Sequence, residues 1–385
     1  MKFFSAKFYY VRYSTLGKII RETYRQFTVR VWLLSTLFIS LFALNQFLHL
    51  VFRLLDEIFH RGQNRVEIKQ PVFIISNPRS GTTFLHRLLA LDSERFVYTK
   101  YAHTFFMTSS FVQFYDLFRW VDRKILFGVI KKSINKLDEK FWGGWDDIHA
   151  MGFNKAEEDE LVFAQTMMSV GVMIPFPYFS KIHDYKFLDR APEDVRSSVM
   201  DFYESCVKRF VFRAGKEKTY LAKNVMSTGR FKSLLTRFPD AKIIYIVRHP
   251  YDSVPSFASM FTAMYKIHSP QMPDTHPEKK AWGELGVEFL KYSQEMRKCI
   301  PEKQFYELKY DELLENPQKV VKKIYSHFNW IPSEKFSELL SHEYARSKAY
   351  KSAHEYSLEK YGFTKKEIYS ELKEVMDEFG FEKEF

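Results

Sequence analysis

Apolar positions along the chain form one long uninterrupted stretch and several short runs, and the two patterns predict different elements. The long stretch, residues 31–52, reads VWLLSTLFISLFALNQFLHLVF and contains no charged residue. As a helix it is long enough to cross a hydrocarbon core of about 30 Å. Asn45, Gln46 and His49 interrupt its second half, so three roles stay open: a membrane anchor, a helix lying at the bilayer surface, or a buried helix of the fold.

Short apolar runs between turn residues predict the strands of a sheet. The four runs are VFIIS (72–76), TYLAKN (219–224), KIIYIV (242–247) and QFYELKY (304–310). Helical patterns follow three of them, over residues 82–91, over residues 253–261, and after residue 310 with an interruption near Asn316-Pro317. Strands that alternate with helices are typical of an α/β fold, here a P-loop-like parallel sheet flanked by helices.

The same patterns divide the chain into two parts. We expect residues 1–60 to form a basic N-terminus with a membrane-associated apolar helix, and residues 70–385 to form one domain. Within that domain residues 100–215 are mostly helical in pattern, and we expect them to form a helical cap. Residues 269–280, SPQMPDTHPEKK, are rich in proline and polar residues and predict a loop.

Basic residues are concentrated at the N-terminus. The chain carries a net charge of +11; residues 1–30 contain seven Lys or Arg and one acid, which gives +6 there and leaves +5 for the rest. Positive charge beside an apolar helix favours contact with anionic lipid, and it also suits an anionic nucleotide. No zinc-finger spacing, basic zipper or aromatic RNA-binding signature accompanies the charge, so we expect no nucleic-acid partner.

The cysteine content bears on the compartment. Two cysteines, Cys206 and Cys299, cannot form a disulfide framework, and the sequence contains no Asn-x-Ser/Thr sequon. Both observations favour a membrane-associated protein whose domain of residues 70–385 lies in the cytoplasm. The alternative is a Golgi-type single-pass anchor, because the positive-inside rule places residues 60–385 on the far side of a true span. The sequence leaves the oligomeric state open.

The segment between the first strand and its helix carries the strongest chemical signal. It reads Asn77-Pro78-Arg79-Ser80-Gly81-Thr82-Thr83. A tight turn at a helix N-terminus presents backbone N–H groups and the positive end of the helix dipole, which suits an anionic group. Gly81 allows the backbone to approach closely, and Arg79 adds a permanent charge. The nucleotide-hydrolase P-loop requires Lys after its last Gly, where this chain has Thr82, and this disfavours an ATPase or a kinase.

This loop and a second motif together resemble a known family. PRSGTT behind an apolar strand resembles the 5′-phosphosulfate loop of the sulfotransferases that use 3′-phosphoadenosine 5′-phosphosulfate (PAPS). Arg248-His249-Pro250 behind KIIYIV, with Ser256 eight residues after Arg248, resembles the motif that holds the 3′-phosphate of the donor. Lys223-Asn224 and YELKYDELLENP (306–317) are similar to further elements of the family, as found in its bacterial and Golgi branches. The likeness covers roughly residues 70–385.

The resemblance implies PAPS as the co-substrate and no metal. The residues it assigns to the donor are Arg79, Ser80, Gly81, Thr82, Thr83, Arg248 and Ser256. Sulfuryl transfer is an in-line displacement at sulfur, in which negative charge develops on the oxygen that bridges to phosphate. Fixed cations at that oxygen lower the barrier, and Arg79 and Lys223 are the candidates.

An acceptor hydroxyl also requires a base. In the cytosolic branch of the family a His lies two residues beyond the strand-end Lys, and this chain has Val225 there. We therefore expect a carboxylate, Glu158 in the acidic run 157–160, by likeness to the bacterial and Golgi branches. The alternative interpretation of that run is a set of surface acids in a first helical turn. His103 and His149 are further candidates for the base.

The resemblance also extends to the C-terminus and to the overall function. Lys348, Lys351, His354 and Tyr356 resemble an element near the nucleotide, with a solvated surface as the alternative, and the RKGxxG loop of the cytosolic enzymes is absent. The implied reaction moves a sulfuryl group from PAPS to a hydroxyl of a lipid, glycan or small metabolite. Two other classes stay open: a P-loop phosphotransferase, which would need Mg²⁺, and a non-catalytic membrane-bound nucleotide-binding module.

Overall fold

Five parallel strands form the central sheet of the computed structural model, which describes residues 5–25, 28–77, 79–133, 136, 156–182, 186–347 and 357–383. The strands are β1 (Val72–Ser76), β2 (Phe96–Tyr98), β3 (Thr219–Lys223), β4 (Lys242–Val247) and β5 (Phe305–Lys309). Their order in the sheet is β2-β3-β1-β4-β5. The predicted parallel α/β sheet is confirmed, and β2 is an addition, because a strand of three residues is too short to give a sequence pattern.

Helices surround this sheet and precede it. The α-helices are α1 (Tyr13–Arg25), α2 (Val29–Phe59), α3 (Thr82–Leu89), α4 (Tyr101–Phe105), α5 (Ser109–Lys124), α6 (Glu160–Ala164), α7 (Glu193–Ala214), α8 (Phe231–Arg237), α9 (Pro250–Thr262), α10 (Tyr265–His268), α11 (Pro277–Arg297), α12 (Tyr310–Glu315), α13 (Pro317–His327), α14 (Glu334–Ser347), α15 (Lys365–Glu371) and α16 (Lys373–Phe379). Short 3-10 helices lie at Arg61–Arg65, Val170–Met173, Phe179–Lys181, Leu188–Arg190, Val225–Arg230, Glu302–Gln304 and Glu359–Tyr361.

Side chains alternate between the two faces of the sheet, and each face has its own core. On one face Phe73 and Tyr245 pack with residues of α6, α7, α8, α9 and α11 in the larger core. On the other face Val72 and Ile246 pack with α3, α13 and α14. The described part of residues 100–215 therefore covers the first face and shares its core with the sheet. Its role as a cap for the acceptor stays a prediction.

Two helix starts differ from the sequence prediction, and both are explained by a histidine before a proline. The loop predicted over 269–280 is wrong at its end, because α11 begins at Pro277 and the His276 side chain accepts a hydrogen bond from the backbone N–H of Glu278. Likewise α9 begins at Pro250, three residues earlier than predicted, with His249 accepting from the N–H of Tyr251. Proline is favoured at a first helical position, where its missing N–H has no partner to lose.

The apolar helix α2 is longer than the stretch that predicted it. It runs from Val29 to Phe59 and is long and apolar enough to cross a membrane, and no other helix within the described ranges is. Arg53 and Asp56 extend it beyond the uncharged window, and both are fully buried. Asp56 accepts hydrogen bonds from the backbone N–H groups of Ser109 (3.1 Å) and Ser110 (2.6 Å) and pairs with Arg209 of α7 (3.2 Å). The apolar sequence pattern ends before these charged residues, but the helix continues through them and the structure buries both.

Removing Arg209 is expected to destabilise the domain. In Arg209→Met the Asp56 carboxylate stays buried without its cation, and breaking such a pair costs about 3–5 kcal/mol of unfolding free energy. Arg237→Met is the matched control, since Arg237 pairs with Asp201 and Glu204 but is 23% exposed. A partly solvated ion pair contributes below about 1 kcal/mol to the free energy of unfolding. Chemical denaturation of both variants measures the difference, and equal losses would contradict the burial argument.

Candidate active site

The loop after β1 forms a tight turn at the centre of the sheet. Arg79 and Gly81 both adopt positive φ angles, 66° and 77°. A Cβ atom on Gly81 would lie 3.0 Å from side-chain carbons of both Leu313 and Tyr310, so only glycine fits between the loop and α12. Helix α3 begins directly afterwards at Thr82. The hydroxyl of Ser80 is buried and has no hydrogen-bond partner within the described part of the chain.

Arg248 brings the second predicted motif against this loop. Arg248 directly follows β4, and every residue of β1 pairs with a residue of β4. One guanidinium nitrogen donates to the backbone carbonyl of Arg79 (2.8 Å) and the other to Asp252 (3.1 Å). The guanidinium also lies 4.8 Å from the ring centre of Tyr310. The two motifs, 169 residues apart in the sequence, therefore meet at the carboxyl ends of β1 and β4, and we call this place the crevice.

Ser256 lies on α9, the helix that follows Arg248. Its hydroxyl is buried and makes no hydrogen bond to any residue that the structure describes, and the same holds for Ser253 one turn earlier. Buried hydroxyls are normally satisfied. The hydrogen-bonding capacity of these two hydroxyls and of Ser80 is therefore not used by any residue that the structure describes.

Lys223 is the third predicted element, at the end of β3. Its side chain is fully buried, and its ammonium donates to a carboxylate oxygen of Glu158 (2.5 Å) and to the hydroxyl of Thr83 (3.0 Å). A carboxylate oxygen of Glu157 lies 3.7 Å away. Glu158 is 20% exposed, whereas the side chain of Lys223 is fully buried. The structure thus joins three predicted site residues from three different elements.

The last two acids of the run, Asp159 and Glu160, are structural. Asp159 accepts hydrogen bonds from Tyr203 (2.5 Å) and Asn224 (2.9 Å), and its burial raises the pKa of the carboxyl group, an effect that these hydrogen bonds oppose. Glu160 pairs with Arg230 at 2.9 Å. Because Asn224 directly follows Lys223 and donates to both acids, it fixes the run beside the strand end. The surface interpretation of the run is therefore wrong for Asp159 and Glu160.

Of the two histidine candidates for the base, the structure describes only His103. His103 is buried, with its ring against Tyr115 and Phe210, and its Nδ1 accepts from the backbone N–H of Lys100 (3.3 Å). Burial, aided by Lys100 and Arg119, lowers the pKa of His103 to about 3. The geometry gives this side chain the role of a helix cap. His149 and the C-terminal candidates Lys348, Lys351, His354 and Tyr356 lie outside the described residues.

Sequence reasoning missed three residues at the site. Tyr310 contacts both Gly81 and Arg248, and its position directly after β5 could have indicated it, since ligands bind where parallel strands end. Asp252 lies four residues after Arg248 on the following helix and could have been found by that spacing. His86 is fully buried in α3; burial, and then the charge of Lys223, lowers its pKa to about 3. A neutral His86 adds no second positive charge behind Lys223.

Comparisons with known proteins agree with this geometry. A family model described as "Sulfotransferase family" matches residues 71–332. The chain is 29% identical, over 267 residues, to the omega-hydroxy-beta-dihydromenaquinone-9 sulfotransferases Stf3 of Mycobacterium bovis and Mycobacterium tuberculosis. The match covers 67% of this chain and 62% of each relative, so the chain spans less than two thirds of their length.

Two solved structures share the fold. Sulfotransferase STF9 from Mycobacterium avium superposes with a TM-score of 0.68 at 17% identity, over 86% of this chain and 82% of that one. Sulfotransferase STF1 from Mycobacterium tuberculosis gives a TM-score of 0.64 at 20% identity, over 93% and 90%. The family model spans more than half of the chain and includes all three elements of the crevice. The chain belongs to the sulfotransferase family.

Proposed function

We propose that this protein transfers a sulfuryl group from PAPS to a hydroxyl group of a lipid acceptor. The observation that supports it best is the hydrogen bond from Arg248 to the carbonyl of Arg79. This bond joins the two segments that we propose bind the anionic groups, and both lie at the carboxyl ends of adjacent strands, where parallel α/β sheets bind their ligands. PAPS carries anionic groups at both ends of one molecule, so two neighbouring motifs suit it better than one phosphate loop alone.

The two motifs hold different ends of the donor in this proposal. The loop Arg79–Thr83 and the start of α3 hold the phosphosulfate, since N–H groups and the helix dipole favour an anion there. Arg248 and Ser256 hold the 3′-phosphate through charge-assisted hydrogen bonds. The buried hydroxyls of Ser80 and Ser256 support this, because an oxygen atom of the donor would satisfy each of them.

Lys223 and Glu158 carry out the transfer. The acceptor oxygen attacks sulfur, the bond from sulfur to the bridging phosphate oxygen breaks, and adenosine 3′,5′-bisphosphate leaves with the bonding electrons. Lys223 and Arg79 stabilise the charge that develops on that oxygen. The Glu158 carboxylate takes the proton from the acceptor hydroxyl. The Lys223 ammonium donates to Glu158 (2.5 Å), and a shift of this ammonium towards the bridging oxygen would free the carboxylate to act as base.

Calorimetric titration with adenosine 3′,5′-bisphosphate tests the donor site. We expect binding without Mg²⁺, and we expect Arg248→Ala to weaken it roughly 10- to 100-fold, the contribution of a hydrogen-bonded charge. Arg237→Ala is the control, because Arg237 forms a partly exposed ion pair on α8. This variant should bind adenosine 3′,5′-bisphosphate as tightly as the wild type. An unchanged affinity in Arg248→Ala would remove the 3′-phosphate assignment. Binding that requires Mg²⁺ would favour the phosphotransferase, and binding without turnover of PAPS would favour the non-catalytic module.

A lipid acceptor is supported by a relative and by a row of aromatic side chains. The name of the Stf3 relatives gives a hydroxylated dihydromenaquinone, a lipid, as their acceptor. Here successive ring centres lie 5.2–6.5 Å apart in a row that begins at an exposed ring and continues through half-buried ones; the rings are those of Phe114, Phe52, Phe106, Phe105 and Tyr101. The row ends beside Lys100, which pairs as an isolated bridge with Ala156, two residues before Glu158. A hydrophobic chain lying along this row would present a terminal hydroxyl near the acidic run.

Incubation with radiolabelled PAPS tests the acceptor class. We expect label to enter the organic phase when the protein is given a membrane lipid extract, and we expect none in a glycan fraction. Phe106→Ala should raise the KM for the extract while the affinity for adenosine 3′,5′-bisphosphate stays unchanged. Label only in the glycan fraction would replace the lipid by a glycan.

The catalytic domain is assigned to the cytoplasm in the same proposal. Cys206 is buried and Cys299 exposed, and both are free thiols. An exposed free thiol suits a reducing compartment better than the lumen of a Golgi-type enzyme. Protease protection in intact cells distinguishes the two locations.

A further inference from the structure

Helix α2 presents its polar side chains to the protein and its apolar side chains outward. The buried positions in its second half are Gln46, His49, Arg53 and Asp56. The opposite stripe is 50–62% exposed and consists of Leu33, Leu37, Leu41, Leu44 and Phe47. A helix on the surface of a soluble domain shows the reverse arrangement. The outer stripe is therefore made for an apolar medium and not for water.

Contacts to the domain run along the whole helix. Near its start Val31 and Ser35 are buried, and the ring of Phe38 lies 6.5 Å from that of Phe176. In the middle Gln46 donates to the carbonyl of Gln165 (2.9 Å). Near its end Arg53 donates to the hydroxyl of Ser205 (2.6 Å). A helix of 31 residues is about 45 Å long. Protein covers one side over that length, so lipid can cover only the other.

Helix α5 extends the apolar surface. Phe52 of α2 lies between Phe111 and Phe114 of α5, at ring distances of 5.3 and 6.4 Å. The large apolar side chains that are exposed on α5 and just after it are Phe114, Leu117, Phe118, Trp120, Ile125, Leu126, Phe127 and Val129. Phe127 is 84% exposed. We call this surface, together with the outer stripe of α2, the α2–α5 face.

Basic residues border the α2–α5 face at both ends. Lys18 and Arg25 are exposed on α1, and Arg30 is exposed in the first turn of α2. Arg119, Arg123, Lys124, Lys131 and Lys132 are exposed on α5 and just after it. Lys and Arg beside an apolar surface match the negative headgroups of anionic lipid, and Trp120 is of a type enriched at that boundary. Charge and apolar surface thus point to the same partner.

We propose that the α2–α5 face docks on an anionic bilayer, with α2 lying in the interface and not crossing it. The buried charges of α2 fix it to the domain, and the basic border contacts the headgroups. The donor crevice stays in the aqueous phase, while the aromatic row that begins at Phe114 opens into the apolar layer. Docking requires no turnover, so it is tested separately from the proposed reaction.

Vesicle co-sedimentation of the full chain tests the docking. We expect binding to vesicles of phosphatidylcholine with phosphatidylglycerol, weaker binding to phosphatidylcholine alone, and a decrease with salt. The double variant Leu37→Glu, Phe47→Glu should bind at least about tenfold less, because each carboxylate resists transfer into the apolar layer. The matched double variant is Ile331→Glu, Leu339→Glu. Ile331 lies just before α14 and is 83% exposed, and Leu339 lies in α14 and is 41% exposed. Helix α14 packs on the opposite side of the sheet, so this variant should bind vesicles as the wild type does.

Other outcomes overturn the proposal. Equal binding by both double variants, or no binding by the wild type, would exclude the α2–α5 face as a membrane surface. A dimer in solution that Leu37→Glu, Phe47→Glu dissolves would assign the face to a second copy of the chain. The affinity for adenosine 3′,5′-bisphosphate checks that each variant is folded, since the substituted residues lie outside the donor crevice.

Thiol labelling distinguishes a helix that lies on the membrane from one that crosses it. Cys299 on the domain is exposed and Cys206 is buried. Lys18→Cys adds one thiol at an exposed position of α1, before α2. In sealed vesicles from expressing cells we expect a membrane-impermeant maleimide to react with both exposed thiols from the same side. If the reagent on one side of the membrane reaches only one of the two thiols, then α2 crosses the membrane. That result would contradict the interfacial arrangement.

Discussion

Lys223→Met is expected to lower kcat by roughly 10²–10³-fold, the loss measured when one fixed donor to a developing negative charge is removed. The side chain is fully buried and bonded to both Glu158 and Thr83. Methionine keeps the volume and removes the charge, so packing changes little. Steady-state kinetics with labelled PAPS measures the effect, which should fall on kcat and leave the KM for the donor nearly unchanged.

Two further measurements keep that result interpretable. Denaturation and titration with adenosine 3′,5′-bisphosphate show whether Lys223→Met still folds and binds nucleotide. Lys223→Arg retains a cation and should keep more of the rate than Lys223→Met. A wild-type kcat in Lys223→Met would mean that the buried ammonium only neutralises the acidic run, and the catalytic role would then fall to Arg79 alone.

Glu158→Gln is expected to lower kcat by about 10²–10⁴-fold, the contribution of a positioned general base. Glutamine has nearly the same shape and can still accept a hydrogen bond from Lys223, but it cannot take a proton from the acceptor. Donor affinity should therefore stay close to that of the wild type. Single-turnover measurements with saturating PAPS separate the chemical step from binding.

The neighbouring residue supplies the control for Glu158. Glu157 also has a carboxylate oxygen near Lys223, at 3.7 Å, but only 5% of its side chain is exposed. Glu157→Gln should keep most of the activity, because an acceptor cannot readily reach a buried carboxylate. A larger loss in Glu157→Gln than in Glu158→Gln would transfer the base to Glu157.

Local patterns predicted the parts of the fold that depend on local sequence. The runs at β1 and β4 are apolar on both faces and match the observed bounds, because strands buried on both sides need apolar residues at every position. The turn after β1 could also be predicted from local sequence, since the end of a strand, a glycine and the start of a helix all lie within about ten residues. β2 escaped prediction because its position depends on pairing with β3, far along the chain.

The arrangement of the site could be predicted only in part. Resemblance singled out Arg79, Lys223, Glu158 and Arg248 one by one, and no sequence pattern shows that Lys223 bonds to Glu158 across 65 residues. Nor could composition show which acids of the run are structural. Asp159 and Glu160 take that role because Asn224 and Arg230 reach them, which is a property of the folded chain.

The inverted polarity of α2 has a practical consequence for anyone who prepares this protein. Removing an apolar N-terminal segment is a common route to a soluble enzyme, but here that cut would also remove Arg53 and Asp56. Ser205, Cys206 and Arg209 would then face water or one another, with their partners gone. Detergent-free preparations are better sought by changing a few outward leucines than by shortening the chain.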